Sequence, residues 1–208
     1  MTEIVLLRHG ETEWDREDRL HGHAPVPLTR AGRESVETIG QGLASTYEFD
    51  RVYAAETLAA RETAALVRLA GVEPRPTIEP AWRPRDAGVY QGLAYEELAL
   101  TDEPDSPRTD VDVLQPLPRS GETLTAGRHR ILDRWRRLCE EAGDDERILV
   151  VTHDFPIATV LGTIAGADPV DRFGAYAPGE CSVTTVRLAH DQPTVDETSV
   201  KRRRIVNG

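Results

Sequence analysis

Cysteine is scarce: Cys139 and Cys181 are the only two in 208 residues. Two thiols so placed make neither a disulfide framework nor a zinc-ligand pattern. Aromatic residues are few, and no apolar run approaches the roughly 18 residues that a membrane helix needs, so no membrane association is expected. The chain opens Met1-Thr2-Glu3 straight into Ile4-Val5-Leu6-Leu7, without a basic leader or a cleavage site, and a cytoplasmic protein is expected. Positive charge is in the minority, with 25 Lys and Arg against 36 Asp and Glu and a net charge of −11, a balance that repels nucleic acid and anionic membranes. Any anionic substrate must then meet a focused cationic pocket. The basic run Lys201-Arg202-Arg203-Arg204 is read as a solvated edge strand, not a nucleic-acid patch.

Hydrophobic residues at 39% and charged ones at 29% supply a core and a solvated surface, and the length suits one domain over residues 1–208. Short apolar runs at Ile4–Leu7, Val52–Ala54, Ile148–Thr152 and Val183–Leu188 predict strands, with a further one at Lys201–Val206. Between them lie helical stretches. Thr29 caps one that runs towards Leu43, Leu58–Ala70 ends at Gly71, and Leu124, Ile131, Leu132, Trp135, Leu138 and Cys139 mark the apolar face of a third. A fourth is expected from Pro156 to Ala165. Alternating strands and helices imply an α/β three-layer sandwich, with a mostly parallel central sheet and helices on both faces. The proline-rich, acidic stretch at 101–118 shows neither period and reads as an irregular insertion.

In such sheets ligands gather beyond the carboxyl ends of the strands. The first strand runs into Arg8-His9-Gly10, and the fourth into His153-Asp154. If those strands are neighbours, two imidazoles meet at one spot. Arg8 brings a fork suited to phosphate oxygens, and Gly10 lets the backbone approach an anion, so the combination suggests phosphoryl chemistry.

Leu7-Arg8-His9-Gly10-Glu11-Thr12-Glu13-Trp14 resembles the signature of the histidine phosphatase superfamily, the phosphoglycerate-mutase-like proteins. Arg19-Leu20-His21-Gly22, Pro27-Leu28-Thr29-Arg30-Ala31-Gly32, Glu62-Thr63-Ala64, Ala87-Gly88-Val89-Tyr90-Gln91-Gly92-Leu93, Ser120-Gly121-Glu122-Thr123 and Val150-Val151-Thr152-His153 follow in the family's order. The resemblance implies a phosphoglycerate-mutase-like fold in which His9 takes the phosphoryl group while Arg8 and His153 neutralise its charge. It implies no metal and no cofactor. Gly10, Glu11, Thr12, Asp15, His21 and Gly22 are the expected substrate-binding residues.

Four departures from the pattern stand out. Asp15 replaces the usual asparagine, and an ionised carboxylate there repels phosphate. Ala59 occupies the place of a second phosphate-binding arginine; Arg61 points about 200° away on a helix, leaving Arg83 or Arg85 as possible substitutes. Pro84 replaces the glutamate that protonates the leaving oxygen in the commoner branch. Asp154, preferred because it stands beside His153, and Asp86 are the two carboxylates that can take that task. Pro25 stands where an aspartate is usual, with only a local loop effect expected. His21 and His23 lack a third partner for a metal and are read as loop histidines at the pocket mouth.

The expected function is hydrolysis of a small, anionic, phosphorylated metabolite. The alternative is a pocket that has lost ordinary phosphatase turnover and either binds an anionic ligand or runs an acid/base reaction on His9 and His153. Oligomeric state stays open, a homodimer included.

Overall fold

A computed structural model describes residues 1–98, 121–166, 176–189 and 192–195. Strands β1 (Thr2–Arg8), β2 (Arg51–Ala54), β3 (Thr77–Ile78), β4 (Arg147–Thr152), β5 (Val183–Ala189) and β6 (Gln192–Val195) form one sheet in the order β3-β2-β4-β1-β5-β6. The first four in that order run parallel, while β5 lies antiparallel to β1, and β6 antiparallel to β5. From Ile148 to Thr152 every residue of β4 is buried, as both covered faces of a central parallel strand require.

The long helices are α2 (Arg30–Thr46), α3 (Leu58–Leu69), α5 (Leu124–Glu141) and α6 (Asp154–Ile164); α1 (Glu13–Arg16) and α4 (Tyr95–Leu98) are single turns. Helix α2 packs on α3, and α5 on α6. Right-handed crossovers put the first pair on one face and the second on the other, since β1 and β2 lead towards one edge of the sheet and β4 towards the opposite edge. Val36, Leu43, Ala60, Ala64 and Val67 fill one layer of the core, and Ile131, Trp135, Leu138, Ile157 and Val160 the other.

Thr29 caps α2 as expected, its hydroxyl accepting from Gly32 N–H at 2.9 Å, and Thr123 caps α5 through Ala126 N–H. Helix α6 starts two residues before the expected Pro156, because extended His153 serves as its N-cap and Asp154 becomes its first residue. Strand β3 has no apolar signal, since both its residues are exposed and its pairing with β2 supplies the order. The insertion near 101–118 and the strand expected at 201–206 fall outside the described residues. No helix among the described residues is long and apolar enough to cross a membrane.

Candidate active site

Strands β1 and β4 are neighbours, and their onward connections leave in opposite directions across opposite faces. That is the topological switch point at which an α/β sheet opens a crevice. Arg8 pairs with Thr152 in the register, so His9 and His153 emerge side by side, with His9 N–H bonded to Thr152 O at 2.9 Å. Their ring centroids lie 4.4 Å apart at 62°. His21 brings a third imidazole, its centroid 5.7 Å from that of His9.

His9 is buried, and its Nδ1 lies 2.8 Å from the carbonyl oxygen of Gly10. A carbonyl only accepts, so Nδ1 carries the hydrogen and the lone pair sits on Nε2. Burial pushes this imidazole below the ordinary histidine value, against the pull of Asp15, and keeps the ring neutral. Burial does the same to His153, driving it well down, and takes His21 to about 4. His153 Nε2 is 2.6 Å from the hydroxyl of Thr57, the N-cap of α3.

Gly10 is fixed by close packing. A Cβ there would meet Val36 Cγ2 at 2.7 Å and Gly32 O at 2.9 Å, and its N–H donates to Thr63 Oγ1 at 3.1 Å. Glu11 is turned to the scaffold, where its carboxylate accepts from Thr29 Oγ1 at 2.7 Å.

Arg8 is the buried cation of the site. Nη1 donates to Pro178 O at 2.7 Å and Nη2 to Asp15 Oδ1 at 2.8 Å, while Glu180 and Asp154 approach Nη2 at 3.3 and 3.9 Å. Burial opposes its charge, but Asp154, Asp15 and Glu180 together raise its pKa further, so the cation is permanent. Nε is buried without a partner among the described residues, a donor that an anion can satisfy. Asp15 does not project into the crevice as a bare charge. Its Oδ2 accepts from Thr12 N–H at 2.9 Å and from Thr12 Oγ1–H at 2.7 Å, which closes a capping box on α1. Burial raises this carboxyl, yet His9, Arg8, His21 and the Thr12 hydroxyl bring it down to about 2.

Because the Thr12 hydroxyl gives its only hydrogen to Asp15, the 3.0 Å contact with His21 Nε2 has the imidazole donating.

The segment 81–91 forms a further rim beside the site, where Trp82 O accepts from Thr152 Oγ1, one residue before His153. Arg83 donates to Glu56 Oε1 at 3.0 Å, one residue before Thr57. Arg85 is buried, and burial lowers its pKa against the charges of Tyr95 and Glu122. Asp86 Oδ1 accepts from Gly88 N–H at 2.9 Å, and Oδ2 lies 3.7 Å from His23 Nδ1. Gly22, at φ +53°, presses against this segment so closely that a Cβ would meet Ala87 N at 2.8 Å. Among the described residues no group of three His, Cys, Asp or Glu side chains is arranged to hold a metal ion.

Paired imidazoles and a buried arginine at a sheet switch point match a known family along nearly the whole chain: residues 4–201 fit the histidine phosphatase superfamily (branch 1). The chain belongs to that superfamily. Phosphoglycerate mutase-like protein 4 of Arabidopsis thaliana is 34% identical over 160 residues, which cover 73% of this chain and 66% of that protein. A metal-independent phosphoserine phosphatase of the same plant is 29% identical over 96% of this chain and 82% of its own length. The solved alpha-ribazole phosphatase of Shigella flexneri superposes with a TM-score of 0.82 over 94% of this chain and 95% of its own, at 23% identity, and shares the fold.

Within this histidine phosphatase fold, Thr57 and Glu180 touch the site although neither stands out in the sequence. Thr57 carried a detectable signal, as a capping residue at the carboxyl end of a strand that neighbours β4. Glu180 carried none, because its approach depends on where the chain re-enters the sheet. Ala59 is buried in α3 and leaves no cation there; Pro84 turns only its carbonyl to the rim, where it accepts from Arg130 Nη2 at 3.2 Å.

Proposed function

We propose that this protein hydrolyses a small phosphomonoester by passing its phosphoryl group through His9. The observation that carries the reading is the bond from His9 Nδ1–H to Gly10 O, which points the lone pair of a neutral imidazole outward on Nε2. That nitrogen forms the bond to phosphorus as the ester oxygen leaves, and water then displaces the phosphoryl group and restores the imidazole. Arg8, through its unpartnered Nε–H, and His153, once the incoming anion draws a proton onto it, stabilise the equatorial oxygens. Thr12 and Asp15 hold Arg8 and His21 in place, and Gly10, His21 and Gly22 shape the phosphate's surroundings. Glu11 acts by fixing Thr29. Arg83 and Arg85 are the cations offered on the 81–91 rim where Ala59 supplies none. Asp154 partners Arg8, which leaves that rim and Asp86 as the proton-donating side. Its place is the cytoplasm, without metal or cofactor.

A competing reading draws on the three carboxylates already around Arg8 and on Ala59: the pocket binds an anion without turning over esters, or moves protons between His9 and His153. One experiment separates the two. Reaction with p-nitrophenyl phosphate, quenched in alkali, should leave a base-stable, acid-labile phosphoryl group on the peptide that contains His9, and none in the His9→Asn variant. Absence of both the adduct and phenol release, in a protein that is folded, overturns the phosphatase reading.

A further inference from the structure

Pro84 removes a carboxylate from the place where a proton donor is expected, and the structure puts an imidazole beside that same backbone position. His23 Nε2 lies 3.0 Å from Pro84 O. A carbonyl only accepts, so Nε2 bears a hydrogen in every protonation state, and a second proton must sit on Nδ1. Nδ1 faces Asp86 Oδ2 at 3.7 Å, a gap too long for a direct hydrogen bond.

The ring is held firmly. Its backbone N–H donates to Gln91 Oε1 at 2.7 Å, and Gly22 lets the loop close against Ala87. Pro84 O, the acceptor for His23, is itself fixed by Arg130. That guanidinium also donates to Ala81 O at 2.8 Å and Arg83 O at 3.0 Å, and it pairs with Glu122 through two bonds of 2.9 and 2.6 Å. The ring is open to solvent in part, with the side chains of His23 and Asp86 27% and 29% exposed, whereas that of His9 is 2% exposed. It also lies within electrostatic reach of His153.

We propose that His23, with Asp86 as its counter-charge, is the general acid of this site and replaces the carboxylate lost at Pro84. The assignment rests on the phosphatase reading above. In the first step the His9 Nε2–P bond forms, the P–O bond to the substrate breaks, and the leaving oxygen takes the Nδ1 proton of His23, releasing an alcohol and a neutral imidazole. In the second step water attacks phosphorus, His23 Nδ1 takes a proton from it, and phosphate departs with His9 restored.

The test reads the first step alone, as single-turnover release of alcohol from an alkyl phosphate and of phenol from p-nitrophenyl phosphate, whose leaving group needs little protonation. His23→Gln keeps an N–H for Pro84 O but has no proton to give. It should slow alkyl release by about 10²-fold or more and phenol release by about tenfold or less. Asp86→Asn, which retains the Oδ1 acceptor for Gly88, should shift the two rates in the same sense by a smaller factor and serves if His23→Gln fails to fold. Equal slowing of both esters, no slowing of either, a wild type that cleaves only the aryl ester, or selective alkyl loss in Asp154→Asn instead of His23→Gln overturns the assignment. Phenol release with a His9 adduct survives those outcomes and preserves the phosphatase reading; their absence removes both.

Discussion

Asp15 receives the guanidinium of Arg8 at 2.8 Å, and both side chains are only 4% exposed. The carboxylate that stands where the resemblance places an asparagine therefore neutralises the cation that the proposed function assigns to the substrate's phosphate. Asp15→Asn should tighten binding of inorganic phosphate about tenfold, because a charge facing the anion is removed. The same change should destabilise the fold by about 1–3 kcal/mol, since an amide nitrogen at the Oδ2 position cannot accept from Thr12. Calorimetric titration with phosphate and urea denaturation measure the two effects. Unchanged or weaker phosphate affinity would show that Asp15 does not set the charge of the pocket.

Thr57 makes no side-chain cap bond to its own helix, and among the described residues its hydroxyl serves His153. Thr57→Val should lower kcat for p-nitrophenyl phosphate by about tenfold while leaving α3 intact, at a stability cost of about 1–3 kcal/mol for the bond lost at a buried imidazole. A loss of helical circular dichroism in proportion to activity would assign Thr57 to the scaffold.

The buried histidines make stability depend on pH. His21 has its folded pKa lowered from 6.5 to about 4, and His9 and His153 are lowered too, so the unfolded chain binds protons first as pH falls. The stabilisation is complete above about pH 6.5 and drains away between that value and 4. Asp15, lowered from 3.8 to about 2, adds a second loss below about pH 4. Urea midpoints measured from pH 7.5 to 4 should fall throughout the histidine window, and less steeply in His21→Gln. A flat profile would contradict neutral, buried imidazoles.

Phosphate binding should take up protons. Its charge favours the imidazolium forms of His153 and His21, which burial by itself disfavours. Titrations at pH 7 in buffers of different ionisation enthalpy should yield an uptake of up to about one proton per site. Zero uptake, or release, would mean that the histidines stay neutral around the anion.

Much of the fold was legible because its signals are local. Apolar runs marked β1, β2, β4 and β5, and Thr29 marked a helix start through a bond that spans three residues. The site motif was equally plain, since Arg8-His9-Gly10 and His153 each end an apolar run. Other features resisted. Two exposed residues of β3 show no pattern, and α6 was placed two residues late because Pro156 marks a first turn without specifying which position in it. The preference for Asp154 as proton donor rested on its nearness to His153 in sequence, and only the structure brings its carboxylate to 3.9 Å from Arg8 as well.

The order of amino acids alone determined the α/β class, the course of the long helices and the residue types available for chemistry, because periodicity, capping and strand-end motifs act over a few positions. Tertiary structure decided that β1 lies beside β4, that Asp15 is bound to Arg8, and that His23 stands against Pro84 and Asp86. Those pairings join segments far apart in the chain or fix which of several carboxylates a cation meets. They are chosen by sheet register, by burial and by the packing of Gly10 and Gly22, which no local pattern encodes.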